Sequence, residues 1–210
     1  ATFGQNPLMR KYNMAFRFRE FAEFAVSIAP PDSALSVTID SRFADDDYSR
    51  SQVGLVAGKE SYVGADIGYA LTEVASFYVN IGTEKIESEQ FGSEAFATAD
   101  WRAFNEDNYA TVGAGFRWRQ IADKIDLQID YTRADGTSSI ELDDAAGPAD
   151  SFPDLETTLD FLRLRLGYRH SERLDVNASL TFQSFNAEDW SIQGVGPATI
   201  PEVLSMGPLP

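Results

Sequence analysis

The sequence predicts an all-β fold, an antiparallel up-and-down transmembrane β-barrel to which this chain contributes about eight strands. Three observations predict it. Apolar residues recur with a period of two rather than 3.6. Short and long connections alternate along the chain, and aromatic residues fall near both ends of the apolar stretches.

The strands follow in chain order. Phe16, Phe18, Ala22, Phe24, Val26 and Ile28 alternate with Arg17, Arg19, Glu23 and Ser27. Leu35, Val37, Ile39 and Phe43 are interleaved with Ser36, Thr38, Asp40 and Arg42. Val63, Ala65, Ile67 and Tyr69 oppose Tyr62, Gly64, Asp66 and Gly68; Ala75, Phe77, Val79 and Ile81 oppose Ser76, Tyr78, Asn80 and Gly82. Ala110, Val112, Ala114, Phe116 and Trp118 alternate with Thr111, Gly113, Gly115 and Arg117. Ile125, Leu127, Ile129 and Tyr131 alternate with Asp126, Gln128, Asp130 and Thr132. Leu162 to Tyr168 and Leu174 to Phe182 repeat the pattern against Arg163, Arg165, Gly167 and Arg169, and against Asp175, Asn177, Ser179 and Thr181. Such alternation is the signature of a strand with one apolar and one polar face.

Short connections are expected at Pro30 to Ser33, Thr72-Glu73, Ala122 to Lys124 and Ser171 to Arg173. Long polar ones are expected at Asp45 to Glu60, Glu84 to Asp107, Thr137 to Thr157 and from Asn186 onward. An outer-membrane barrel sorts its connections in this way, with tight periplasmic turns and longer extracellular loops. A soluble sandwich has no reason to. Eight residue steps from Leu35 to Phe43, at roughly 3.3 Å each and tilted by about 40°, rise roughly 20 Å, close to the height of an outer-membrane apolar band. Tyr69, Trp118 and Tyr168 stand just before short turns on the apolar face, and Phe43, Tyr131 and Phe182 stand late on it. The two sets are expected to form aromatic girdles at opposite membrane interfaces. With short turns periplasmic, both ends of the chain face outward, so residues 1–210 are expected to form part of one larger barrel domain without an internal boundary.

Composition removes several alternatives. Thirty-three acidic against 17 basic residues give a net charge of −16, which argues against nucleic acid and against docking on an anionic lipid surface. No stretch of eighteen apolar residues could form a spanning helix. The absence of cysteine excludes disulfides, thiolate metal sites and covalent haem attachment within this segment. The single histidine, His170, sits at a short turn and leaves little scope for a Ser-His-Asp triad or a zinc site. No catalytic and no metal-ligating residues are assigned. Asp45, Asp46 and Asp47, with Asp40 nearby, have the chemistry of a calcium loop but not its spacing, and read as a solvated loop. Glu84, Glu87, Glu89 and Glu94 read the same way.

On the polar face, Arg163 and Arg165 lie on a strand expected beside those carrying Asp126, Asp130 and Asp175. These five are expected to form a cross-strand charge ladder in the lumen and to meet whatever occupies it. Gly64, Gly68, Gly82, Gly113, Gly115 and Gly167 recur on that face. Two readings stand side by side: room for the close approach of another backbone, or relief of curvature and twist.

Four stretches carry a family resemblance: Arg10-Lys11-Tyr12 leading into an arginine-rich strand, Ala44-Asp45-Asp46-Asp47-Tyr48, Ser88-Glu89-Gln90 followed by Gly92-Ser93, and Trp190 to Leu204 with Gly194, Pro197 and Pro201. Together they resemble the MtrB/PioB outer-membrane proteins, the last stretch corresponding to the final extracellular loop of that family. The resemblance implies a location in the outer membrane of a Gram-negative bacterium, in contact with its lipid. It implies a barrel that sheathes a periplasmic multihaem cytochrome and insulates its haem chain, supporting electron transfer across that membrane. The barrel itself would bind no cofactor, the haem being carried by the partner; in some members a second, extracellular multihaem cytochrome completes the route. Two other classes compete: a general outer-membrane porin with a charged lumen, and a soluble all-β binding domain.

Overall fold

The structure is a computed structural model that describes residues 6, 8–10, 15–93, 97–144, 147–148 and 152–188. Its elements are β1 (Met9–Arg10), β2 (Phe18–Ile28), β3 (Leu35–Asp47), β4 (Val53–Ala70), β5 (Ala75–Gly92), β6 (Trp101–Ile121), β7 (Ile125–Asp144), β8 (Gly147–Pro148), β9 (Leu155–Ser171) and β10 (Leu174–Glu188). The eight long strands lie in the order β10-β9-β7-β6-β5-β4-β3-β2, each antiparallel to its sequence neighbour. This is the up-and-down topology expected. Two-residue β1 pairs in parallel with the start of β4, and β8 pairs with the end of β7. Among the described residues β2 and β10 are unpaired edges, and a sheet in a bilayer must close, so each of these edges needs a pairing partner.

The short turns fall where expected. Ser33 donates to the Pro30 carbonyl at 3.1 Å, Leu71 to that of Ala75 at 2.9 Å, and Lys124 to that of Ile121 at 3.2 Å. The turn between β6 and β7 holds three non-glycine residues in the left-handed region, Gln120, Ala122 and Asp123, at φ of 58°, 49° and 60°. The Asp126 carboxylate pins it by accepting the Gln120 N–H at 2.8 Å.

The long connections are a correction. β5 continues to Gly92, β6 begins at Trp101, and β7 runs to Asp144. Glu84, Glu87 and Glu89 therefore lie in strand rather than loop; Glu94 lies outside the described residues, as does the Trp190–Leu204 stretch. A bilayer needs only about 9–11 residues per tilted strand, so β5, β6 and β7, at 18, 21 and 20 residues, outrun it. Beyond it both faces of the wall meet water.

Register fixes which side chains share a face. One outward row runs through Val37, Ile67, Val79, Ala114, Tyr131, Leu162 and Phe182. The apolar band drifts across such rows. The row through Phe43, the top of the band on β3, reaches Glu188 on β10, six positions above Phe182, after six strand-to-strand steps. One residue of about 3.3 Å per strand spacing of about 4.8 Å corresponds to strands tilted by about 35° from the band normal. This is the stagger of a barrel wall.

The sheet has almost no dry core. Among the described residues Val53 is the one large side chain fully buried. It packs where β1 folds back on β4, with Tyr48 and Val56 also buried nearby, the Tyr48 N–H donating to the Val56 carbonyl at 2.8 Å. Most other large apolar side chains face outward, such as Phe24 at 64% and Ile39 at 53% exposed. An apolar surface of this extent requires lipid rather than water as its solvent.

Candidate functional site

The polar face begins at the short-turn end with the row Ser76, Arg117, Gln128, Arg165 and Ser179, followed by Tyr78, Gly115, Asp130, Arg163 and Thr181. Asp130 faces Arg163 in register. Its carboxylate nevertheless accepts the Tyr78 hydroxyl at 2.6 Å and Gln128 Nε2 at 2.9 Å. The Arg163 guanidinium lies instead over the Phe161 ring, 4.8 Å from its centroid, and Arg165 Nη1 reaches Gln128 Oε1 at 3.4 Å. Asp126 is engaged by the turn, and Asp175 stands 3.9 Å from Arg169 at an exposed edge. The ladder expected among Arg163, Arg165, Asp126, Asp130 and Asp175 is therefore not formed: Asp130 is taken by Tyr78 and Gln128, Asp126 by the turn, and the register sets Asp175 against Arg169.

A ladder does form at the opposite end of this face, from residues the sequence reading did not pair, with Asp46 and Glu84, read there as loop, among them. Arg17 makes a bidentate contact to Asp46, both bonds at 2.7 Å. Arg19 lies 3.6 Å from Asp46 and donates to Glu60 at 2.8 Å. Arg42 donates to Glu60 at 2.7 Å and to Glu84 at 3.1 Å. Three arginines thus alternate with three carboxylates across β2, β3, β4 and β5. Isolated exposed pairs contribute about 0–1 kcal/mol, and sharing each group between two partners improves on that. The signal was present, since Arg17, Arg19 and Arg42 break an otherwise acidic composition, but the pairing depends on cross-strand register.

The acidic run is accounted for in the same way. Asp46 belongs to the ladder and Asp45 faces Lys59 in register. The Ser49 hydroxyl first, and then the Ser49 N–H that Asp47 accepts at 2.6 Å, hold the Asp47 carboxyl below the usual carboxylate range. Among the described residues no group of three or more His, Asp or Glu is placed to hold a metal. A lowered carboxylate stabilises its turn fully above the unfolded value near pH 4, and that contribution disappears as pH falls through the folded value. Amide exchange at Ser49, corrected for its intrinsic rate, should accordingly be steady above about pH 5 and quicken below about pH 4. Asp47→Asn should remove the step.

Three of these glycines, Gly64, Gly82 and Gly115, and also Gly136, serve a purpose that neither sequence reading supplied, whereas Gly68, Gly113 and Gly167 meet Ser36, Asn80 and Asn177 instead. The Tyr62 ring lies over Gly64 and its cross-strand partner Gly82, with the Tyr62 hydroxyl 3.2 Å from where a Cβ on Gly82 would stand. Tyr78 lies over Gly115, and Tyr109 over Gly136 with a ring carbon 2.7 Å from the missing Cβ. Each glycine removes the side chain on which a neighbouring tyrosine would otherwise stand, so the ring rests flat on the sheet. The inner wall is thin and ring-faced as a result.

On the outer face, Tyr69, Trp118 and Tyr168 lie close to the short turns, at 39%, 42% and 37% exposure. Tyr69 meets Phe77 with ring centroids 5.5 Å apart, and Trp118 meets Phe116 edge-on at 6.3 Å. Phe43, Tyr131 and Phe182 lie toward the opposite limit of the band. The Tyr131 hydroxyl donates to Asp160 at 2.6 Å, beside the Arg133–Asp135 pair at 2.8 Å. A ring in the apolar band with its hydroxyl among charges is the arrangement an interfacial tyrosine adopts.

Known proteins agree with this architecture. The family described as "Putative outer membrane beta-barrel porin, MtrB/PioB" matches residues 1–210. The outer membrane protein MtrB of Shewanella baltica (strain OS185) is 29% identical over 204 residues, covering 91% of this chain; the chain spans 29% of that protein's length. Among solved structures, the copper transporter OprC superposes with a TM-score of 0.69 over 83% of this chain and 29% of its own, at 12% identity, which shows a shared fold. With its outward apolar band, tilted register and sorted turns, the chain lies in the outer membrane and belongs to the MtrB/PioB family of outer-membrane β-barrel porins.

Proposed function

We propose that the barrel containing this sheet sheathes a multihaem c-type cytochrome that enters from the periplasm, and that it insulates the haem chain while electrons cross the outer membrane. The observation that carries this reading is the flattened inner wall. Tyr62, Tyr78 and Tyr109 lie over glycines instead of projecting, which keeps the lumen wide, while the ladder from Arg17 to Glu84 neutralises charge without a mobile counter-ion. A wall of this kind suits a protein surface. The barrel supplies no redox group: the haem belongs to the partner, and a second multihaem cytochrome at the cell surface would receive or deliver the electrons. The family matched is one of membrane barrels and not of enzymes.

The second reading, a porin passing solutes through a charged lumen, draws on the same polar face. One preparation separates the two. The full-length barrel, extracted from its native outer membrane in mild detergent, should carry a Soret absorbance and a cytochrome near one-to-one. A colourless barrel that conducts ions in a planar bilayer would replace the sheath by the porin.

A further inference from the structure

The inner wall carries its charge unevenly. At the long-loop end every arginine of the ladder is matched by a carboxylate. At the short-turn end Arg117, Arg119 and Arg165 share one depression with Asp126, and Arg163 faces Asp130 in register; both aspartates are already bound, Asp126 to a backbone N–H and Asp130 to Tyr78 and Gln128. Among the described residues none of these four arginines has a carboxylate oxygen within 4 Å. In a chain of net charge −16, this is a local excess of positive charge.

The patch is also shaped to be reached. Arg117, Arg119 and Arg165 line a depression of about 450 Å³ together with Asp126, Gln128 and Ser179. Arg117 and Arg165 flank Gln128 in a single row, and small residues surround them: Ser76 and Ser179 at the ends of that row, with Gly115 and Gly167 on the rows to either side. Asp126 fixes the turn that presents Arg119. Guanidinium groups held in this way match carboxylates bidentately, and in the low dielectric of a filled lumen such contacts exceed those of the neutralised ladder.

Resting on the sheath reading, we infer that Arg117 and Arg165, flanked by Arg119 and Arg163, are the contact at which the barrel holds a carboxylate-bearing face of the protein inside its lumen. Arg163 and Arg165 therefore act from the wall into the lumen, toward the partner, while Asp126, Asp130 and Asp175 belong to the wall itself.

Arginine-to-lysine exchange keeps the charge and adds an amine that a zero-length carbodiimide can join to a carboxylate; arginine does not react. Full-length barrels carrying R117K or R165K, purified from native membrane with the copurifying haem protein, are treated with the reagent, digested and mapped by mass spectrometry. The expected result is a cross-link from position 117 or 165 to an Asp or Glu of the haem protein. R42K serves as the reference, because it should join to Glu60 or Glu84 within the barrel and so reports that the reagent enters the lumen. With that reference positive, cross-links from 117 and 165 only to Asp126 or Asp130, or none at all, would overturn the inference. A second measurement uses R117E/R165E, with folding checked by heat-modifiable electrophoretic mobility. The haem retained per folded barrel should fall at least about tenfold, since two favourable charge contacts become repulsive; undiminished retention in folded barrels counts against the inference. Loss of haem protein from the unsubstituted barrel would sink the sheath reading instead, and leave no partner for this patch.

Discussion

Val79→Arg should prevent stable insertion of the barrel, whereas Asn80→Arg, one residue along the same strand, should be tolerated. Val79 lies in the middle of the outward band on β5, between Ile67 and Ala114. An arginine at the bilayer midplane on the lipid face costs about 2–4 kcal/mol, falling to about 0–1 near the interfaces. Asn80 points inward and faces Asp66 in register, so an added cation there gains a counter-charge. Insertion of the full-length barrel into lipid vesicles, read as the folded band on unheated electrophoresis across a urea series, measures the difference. Equal costs at the two positions would mean that the face assignment is wrong.

The tilt adds a second comparison. Ile39 and Arg133 belong to one row, running through Ala65, Ile81 and Val112. If rows were parallel to the membrane, Arg133 would sit in hydrocarbon. With strands inclined by about 35°, the row climbs from mid-band on β3 to the headgroup level on β7. There Arg133 pairs with Asp135 and Tyr131 bonds to Asp160. Ile39→Arg should therefore carry nearly the Val79→Arg penalty, although a residue in the same row is natively charged.

These comparisons also show what the sequence disclosed and where it stopped. Inside the bilayer lipid imposes one rule on every outward position, so period-two alternation marked all eight strands and their turns. Outside the bilayer the rule lapses while the hydrogen-bond ladder continues. On β7 the apolar phase even reverses: Leu127, Ile129 and Tyr131 face outward, but Ile140 and Leu142 share the inward face with Gln128 and Asp130. On β9 the same reversal places Leu159 and Leu155 on the face of Arg163 and Arg165. A stretch such as Thr137 to Leu142 therefore resembles polar loop to a reading tuned to one phase. The site was legible in kind and not in detail. That arginines and aspartates line the lumen followed from alternation alone. Which of them pair did not, because Asp130 is claimed by Tyr78 from a strand two places away, and Arg42 finds Glu60 and Glu84 through a register that only the folded sheet supplies. The role of Gly64, Gly82, Gly115 and Gly136 was hidden for the same reason: the ring over each stands across a strand or two residues along it.

Gly115→Val tests that role, and its effect should depend on the ring above it. A side chain at 115 would occupy the place of the Tyr78 ring, its cross-strand partner. The ring must lift into the lumen, which breaks its 2.6 Å bond to Asp130. Overpacking typically costs about 1–3 kcal/mol, and a lost bond to a charged acceptor about 1.5–3 kcal/mol. The single substitution should therefore destabilise the full-length barrel by several times the cost of an ordinary strand substitution. Tyr78→Ala loses the same bond but leaves open space over residue 115. Adding Gly115→Val to Tyr78→Ala should then cost little, or even stabilise, because valine suits a strand better than glycine does. The double-mutant cycle in urea should show a coupling of at least about 1 kcal/mol, in the sense that each change relieves the other. Additivity within about 0.5 kcal/mol would mean that the ring does not rest on the glycine, and the thin inner wall on which the sheath reading depends would lose its support. A strong coupling would locate the lumen surface at the height of a flat ring, where an enclosed protein can come within reach of Arg117 and Arg165.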